Sequence, residues 1–155
     1  MHKTVNKTLE TLLIVLATVL VLDVLWQVFS RYVLNSPSSF TDELAGYLLI
    51  WVSLLGAAYV TGTKEHLAID LLLQKSGPVR KRILSIIIHL VILLFAISVL
   101  CLGGTWLVYT RFVLGVKSAA LQLPLGIVYT VLPLTGLIII FYSVIHLQEV
   151  IKSNK

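Results

Sequence analysis

Four apolar runs, Leu12 to Phe29, Leu44 to Val60, Ile83 to Tyr109 and Leu121 to Leu147, fill most of this 155-residue chain and decide its fold class. A helix needs about 20 largely apolar residues to cross a hydrocarbon core roughly 30 Å thick. Each run meets or approaches that length, and Asp23 is the one formally charged side chain inside any of them. Charged residues are 12% of the chain against 58% hydrophobic, which leaves too little polar surface to cover a water-soluble globule. The expected fold is therefore an all-α integral membrane protein. Its four transmembrane helices lie over about residues 9–31, 41–62, 82–109 and 121–148, in a single membrane domain spanning residues 1–155.

The basic residues give the topology. With the N-terminus, the segment after the second helix and the C-terminus on one side, that side holds nine: Lys3, Lys7, Lys64, Lys75, Arg80, Lys81, Arg82, Lys152 and Lys155. Arg31, Arg111 and Lys117 fall on the other. Short loops rich in Lys and Arg stay in the cytoplasm, so both termini are expected there. Trp26, Phe29, Tyr32, Phe40, Tyr47, Trp106, Tyr109 and Phe112 then cluster toward the outer ends of the first three helices, as an interfacial aromatic belt would. The net charge of +5 is explained by anionic lipid headgroups beside the spans, with no need of nucleic acid. Lys3 and Lys7 ahead of the first run mimic a secretory signal, but no A-x-A-like site follows Leu22, so the first helix is read as retained. A single cysteine, Cys101, allows no internal disulfide.

Asn35 to Ser39 reads as a turn. Ser39 with Asp42 three residues on fits a helix N-cap, and Asp42 and Glu43 suit the positive end of the helix dipole. Between helices two and three, His66, Asp70 and Gln74 recur at i, i+4 among leucines, which predicts a short amphipathic interfacial helix over about residues 66–75, ended by Gly77-Pro78. Pro124 stands near the start of helix four. Pro133 falls inside that helix, where the lost backbone donor predicts a kink.

Candidate functional residues are few. Asp23 with Gln27, Ser30 and Arg31 forms a polar stripe on helix one. An intramembrane carboxyl marks either an ion route or a packing contact with another helix or subunit, and the absence of a second intramembrane charge favours packing. Arg31 and the pair Asp42 and Glu43 stand at the same depth of a helical hairpin, so an ion pair across it is expected. His89 and His146 face one leaflet on antiparallel helices, compatible with haem ligation or with helix-to-helix hydrogen bonds. No Gly-rich phosphate loop, nucleophile elbow or metal-spaced cluster is present, so hydrolytic chemistry has no candidate residues.

The ordered series Phe29-Ser30-Arg31-Tyr32-Val33-Leu34-Asn35, Phe40-Thr41-Asp42-Glu43-Leu44, Trp51, Leu55-Gly56-Ala57-Ala58 and His66-Leu67-Ala68-Ile69-Asp70 resembles the DctQ-like small membrane subunit of tripartite ATP-independent periplasmic (TRAP) transporters. Gly115, Ser118, Leu121, Pro124 and Pro133 extend the resemblance more loosely, and Phe40 stands where many members have Trp. The resemblance implies a bacterial inner-membrane scaffold, partnered by a large permease subunit, a periplasmic substrate-binding protein and membrane lipid. It implies an organic acid anion of the dicarboxylate or sialic acid class as substrate. No cofactor is expected in this chain, since sodium would bind the large subunit. Asp23, Gln27, Arg31, Asp42, Glu43, His66 and Asp70 are then the candidate subunit contacts. Two other readings remain: a small proton-coupled four-helix exporter using Asp23, against which the nine-to-three bias argues, and a haem-bearing anchor of a respiratory enzyme using His89 and His146.

Overall fold

A computed structural model describes residues 2–36, 38–63 and 78–152. Apart from one isolated bridge between Lys117 and Pro124, the described residues are helix and turn. They form α1 (His2–Tyr32), α2 (Ser39–Thr63), α3 (Pro78–Phe95), a π-helical segment (Ala96–Gly103), α4 (Gly104–Val113), α5 (Leu125–Tyr129) and α6 (Val131–Lys152). Four stretches are long and apolar enough to cross a membrane: Val5–Tyr32, Ser39–Thr63, Arg82–Val113 and Leu125–Gln148. The stretch expected to form the interfacial helix, including His66 and Asp70, lies outside the described residues.

Backbone and hydroxyl groups in a span need partners in lipid, and the first three spans supply several of them locally. Hydroxyls inside the helices fold back onto the carbonyl one turn earlier: Thr18 to Ile14 at 2.7 Å, Thr61 to Ala57 at 2.8 Å, Ser98 to Leu94 at 2.7 Å and Thr110 to Trp106 at 2.8 Å. α1 ends where Asn35 adopts a left-handed backbone (φ 50°), which turns the Ser36 amide back onto the Ser30 carbonyl at 3.1 Å. α2 opens one residue earlier than expected. The Ser38 carbonyl accepts from the Asp42 amide (3.3 Å) and from the Thr41 hydroxyl (3.0 Å), which leaves Ser39 inside the first turn and not at the cap.

The spans pack as a row. α1 lies along α2, and α6 sits between α2 on one side and the third span, α3 through α4, on the other. One core cluster joins Leu9 of α1, Leu55 of α2, and Val131 and Tyr142 of α6. A second joins Ala58 of α2, Ala96 and Leu100 of the π segment, and Ile139 of α6. Most large apolar side chains of α1 and of the outer face of the third span stay exposed, Leu102 and Trp106 among them. That exposure suits hydrocarbon, which solvates leucine as well as a protein interior does.

Two features of the fourth span depart from the sequence expectation. The fourth span begins at Leu125 and not at residue 121, because residues 117–124 form a turn: the Ser118 amide donates to the Leu123 carbonyl (2.9 Å) and Gln122 is left-handed (φ 54°). The interruption attributed to Pro133 falls at Thr130. Pro133 has no amide to offer residue 129, so the chain tightens just ahead of it, with the Thr130 amide donating to Ile127 at 3.3 Å, and Pro133 then occupies the first turn of α6, where proline is tolerated. The fourth span is thus discontinuous. In the sequence Pro133 signalled a disruption of this helix but not its position at Thr130.

Candidate functional site

The polar groups gather at the two ends of the row, with Asp23 and Gln27 between them on α1. At the end carrying the turn that follows α1, Arg31 Nη2 meets Asp42 Oδ1 at 3.4 Å. Both side chains are close to half exposed (49% and 45%), so the pair is worth about 0–1 kcal/mol. Reversing it tests the assignment: Arg31→Glu alone should lower the thermal midpoint by no more than a few degrees, and adding Asp42→Arg should recover most of that loss. A double variant no better than the worse single variant in a thermal-shift assay would rule out a direct pair.

Glu43, the other candidate partner of Arg31, faces elsewhere. Consecutive residues of an α-helix point about 100° apart, so Asp42 and Glu43 cannot serve one cation together. Glu43 turns instead onto the loop between the third and fourth spans. Its Oε1 accepts from the Ala119 amide (3.0 Å) and the Tyr47 hydroxyl (2.9 Å), and its Oε2 accepts from the Ala120 (2.9 Å) and Leu121 (2.8 Å) amides. Three successive amides converging on one carboxylate make an anion nest whose occupant belongs to the same chain. Charge-assisted bonds of this kind are roughly twice as strong as neutral ones.

One helical turn after Tyr47, Trp51 completes the link. Its indole N–H donates to the Val128 carbonyl at 3.0 Å, just ahead of the break in the fourth span. At the break itself the Thr130 hydroxyl donates to the Ile127 carbonyl at 2.6 Å. Arg111 places its guanidinium 6.0 Å from the ring centre of Tyr129, within cation–π range. These contacts bind the ends of spans two, three and four into one unit.

On α1, Asp23 and Gln27 are half-buried. The Gln27 backbone carbonyl accepts from Ser30 Oγ (3.0 Å), while Asp23 Oδ2 is buried with no hydrogen-bond partner among the described residues. No hydrogen bond from that oxygen ties α1 to a neighbouring helix here.

At the opposite end, the Tyr142 hydroxyl donates to Asn6 Oδ1, which joins α1 to α6. Gly62 of α2 allows this junction, since a Cβ there would stand 2.7 Å from the Tyr142 ring and 3.0 Å from Asn6 Oδ1. Close by, the imidazoles of His89 and His146 lie 5.4 Å apart, centre to centre, and His146 stacks on Tyr142 at 6.4 Å. Rings in such contact, on helices packed directly together, leave no slot for a macrocycle between them. Among the described residues no group of three or more His, Cys, Asp or Glu could hold a metal.

Of the sequence-based candidates, the structure brings Arg31 and Asp42 together, turns Glu43 to a different partner and keeps Asp23 and Gln27 on a half-buried face apart from both. The roles of Trp51 and Tyr142 were missed. An indole or phenol in a span needs an acceptor, and that signal was present at both positions.

The model of the DctQ component of tripartite ATP-independent periplasmic transporters matches residues 20–153. A protein of Haemophilus influenzae named as a TRAP transporter small permease protein is 30% identical over 137 residues, covering 87% of this chain and 82% of its own length. The sialic acid TRAP transporter small permease protein SiaQ of Vibrio cholerae is 26% identical over 137 residues, covering 84% of this chain and 79% of its own length. Together with the four apolar helices, these matches place the chain in the DctQ family: it is a small permease subunit of a TRAP transporter, a multi-pass inner-membrane component that works with other transporter components and is not an enzyme.

Proposed function

We propose that this chain is the stationary scaffold of a sodium-coupled transporter for organic acid anions. It would brace a large membrane subunit that carries the substrate and sodium sites, and would offer outer surface to a periplasmic substrate-binding protein. The observation that carries this reading is how the chain uses its own polar groups. The carbonyls around the break in the fourth span serve Trp51 and Thr130, and both oxygens of Glu43 are taken by the loop and Tyr47. Secondary transporters use broken helices to hold ions and substrates with freed backbone groups. Here two of the carbonyls at the break, those of Ile127 and Val128, are taken by the chain's own side chains, as suits a fixed part. The sialic acid relative supports the carboxylate-bearing class of substrate.

Asp23, Gln27, Arg31, Asp42, His66 and Asp70 are proposed contacts with partner subunits or headgroups, with Asp23 and Gln27 half-buried. A proton-coupled exporter built on Asp23 is less well supported, because the Lys and Arg bias of nine to three favours one fixed orientation. With both termini cytoplasmic, the 33–38 turn and the 114–124 loop are periplasmic. In intact cells, a cysteine at Ser36 should react with an impermeant thiol reagent and one at Ser76 should not; the reverse pattern would invert the topology. Affinity-tagged chain should also bring down a large multi-span subunit, and its recovery alone from cells expressing the whole transporter would count against a scaffold.

A further inference from the structure

We propose that Arg111 holds the phosphate of one membrane phospholipid where the third and fourth spans meet, beside the loop that joins them. The inference goes beyond the scaffold reading, since it asks nothing of a partner subunit and nothing of which leaflet this end faces. Arg111 stands two residues before the end of the third span, Arg82–Val113, so its backbone lies about 3 Å inside that end at 1.5 Å per residue. Trp106 and Tyr109, both exposed, precede it on the same helix. Aromatic side chains collect at the level of the lipid headgroups, and this is the level Arg111 occupies. The two spans close on each other here. Gly126 of α5 receives the ring of Phe112, since a Cβ there would stand 2.6 Å from that ring. Arg111, one residue before Phe112, is thereby carried to Tyr129, three residues after Gly126, with its guanidinium 6.0 Å from the ring centre.

Arg111 differs from Arg31, the other arginine at this end, in having no carboxylate. Arg31 meets Asp42. Glu43 has both oxygens filled by three amides and the Tyr47 hydroxyl. Among the described residues the Tyr129 ring is what Arg111 has left, and its Nε is buried with no hydrogen-bond partner. A guanidinium offers five N–H donors and no acceptor, and an aromatic face answers its charge without supplying a lone pair to each donor. An arginine near a membrane surface normally extends its stem until the head reaches water. Here the residue stays half-buried against Tyr129, so the Nη groups are the donors that a ligand has to meet. In the same turns of the two spans Val113, Leu114 and Ile127 are exposed, a surface for acyl chains and not for a soluble anion. A phosphodiester carried on an apolar molecule satisfies both demands. Its paired oxygens accept from two guanidinium N–H groups together, and its chains cover the apolar side chains alongside.

The test uses the full chain in detergent, stripped of lipid, with bound lipid counted by native mass spectrometry during titration with phosphatidylglycerol, phosphatidylcholine or diacylglycerol. Wild type should bind one phospholipid more tightly than Arg111→Gln does, by about tenfold, with either phosphodiester headgroup. Diacylglycerol, which lacks the phosphate, should not tell the two chains apart. Arg111→Lys keeps the charge without the paired donors and should restore only part of the difference. Should Arg111→Gln fail to fold, Tyr129→Leu decides: it frees the guanidinium and should weaken the same lipid by about threefold, with Tyr129→Phe unchanged. Equal phospholipid binding by wild type and the variant would leave the arginine to water and overturn the site. Inorganic phosphate or glycerol phosphate displacing the lipid at equal concentration would make this a site for a free anion and overturn the lipid. An Arg111→Gln chain that binds phospholipid normally but no longer assembles with the large subunit would give the guanidinium to a partner carboxylate and overturn the proposal equally.

Discussion

Gly136→Leu should abolish recovery of folded protein, and Gly104→Leu should do nearly the same, because the third and fourth spans meet backbone to backbone at these two residues. A Cβ on Gly136 would stand 2.7 Å from Cys101 Sγ and 3.2 Å from the Cys101 amide nitrogen. One on Gly104 would stand 2.8 Å from Leu132 Cβ and 3.2 Å from both the nitrogen and Cδ of Pro133. A flexible side chain could swing aside, but a backbone nitrogen and a proline ring cannot. The π segment contributes to this contact. It sets Leu100 and Cys101 over Gly136 and buries Ala96 and Leu100 against α6. Even Gly→Ala at either site should cost about 1–3 kcal/mol of overpacking, and leucine considerably more. Gly46 and Gly56 are controls within the same protein: nothing lies within 4 Å of a Cβ at either, so alanine there should leave the yield of monodisperse protein unchanged. Equal yields for Gly136→Leu and Gly46→Ala in detergent chromatography would show that helices three and four do not pack this way.

How much of this could be read from the sequence differs between spans and contacts. The four spans were legible because each is an unbroken apolar run, and lipid permits such a run little besides helix. The start of the fourth was not. Leu121 and Leu123 continue the hydrophobic pattern, yet the Leu121 amide turns to Glu43 and the Leu123 amide to Ser118 Oγ, and a partner as distant as Glu43 leaves no local periodicity. The Arg31–Asp42 pair was legible from hairpin geometry, which equates depths but cannot say which of two adjacent carboxylates points at the cation. Glu43 defeated the reading because its partners are amides, which every residue carries and no sequence displays. Pro133 announced a disruption but not its position, since the cost of the missing amide falls on the turn preceding it.

The second large effect concerns transport. Reconstituted alone in liposomes, this chain should carry no organic anion under a sodium gradient. A carboxylate and a sodium ion must exchange their hydration for protein groups, and the Ile127 and Val128 carbonyls at the helix break and both Glu43 oxygens are engaged within the chain. Asp23 stands apart, with Oδ2 buried and without a hydrogen-bond partner among the described residues. One carboxylate oxygen in a half-buried setting does not make a solute site, but it does suit a hydrogen bond completed by a partner subunit. Asp23→Asn should therefore reduce assembly of the complex and leave the sodium dependence of the remaining transport unchanged.

The most direct measurement is labelled organic-anion uptake into proteoliposomes holding this chain alone, the large subunit alone, or both, each with the solute-binding protein and a sodium gradient. A scaffold predicts uptake only when both membrane chains are present, with the large subunit alone at or near background. Sodium- or proton-driven flux through this chain alone, lost in Asp23→Asn, would contradict the scaffold and make the chain itself a transporter.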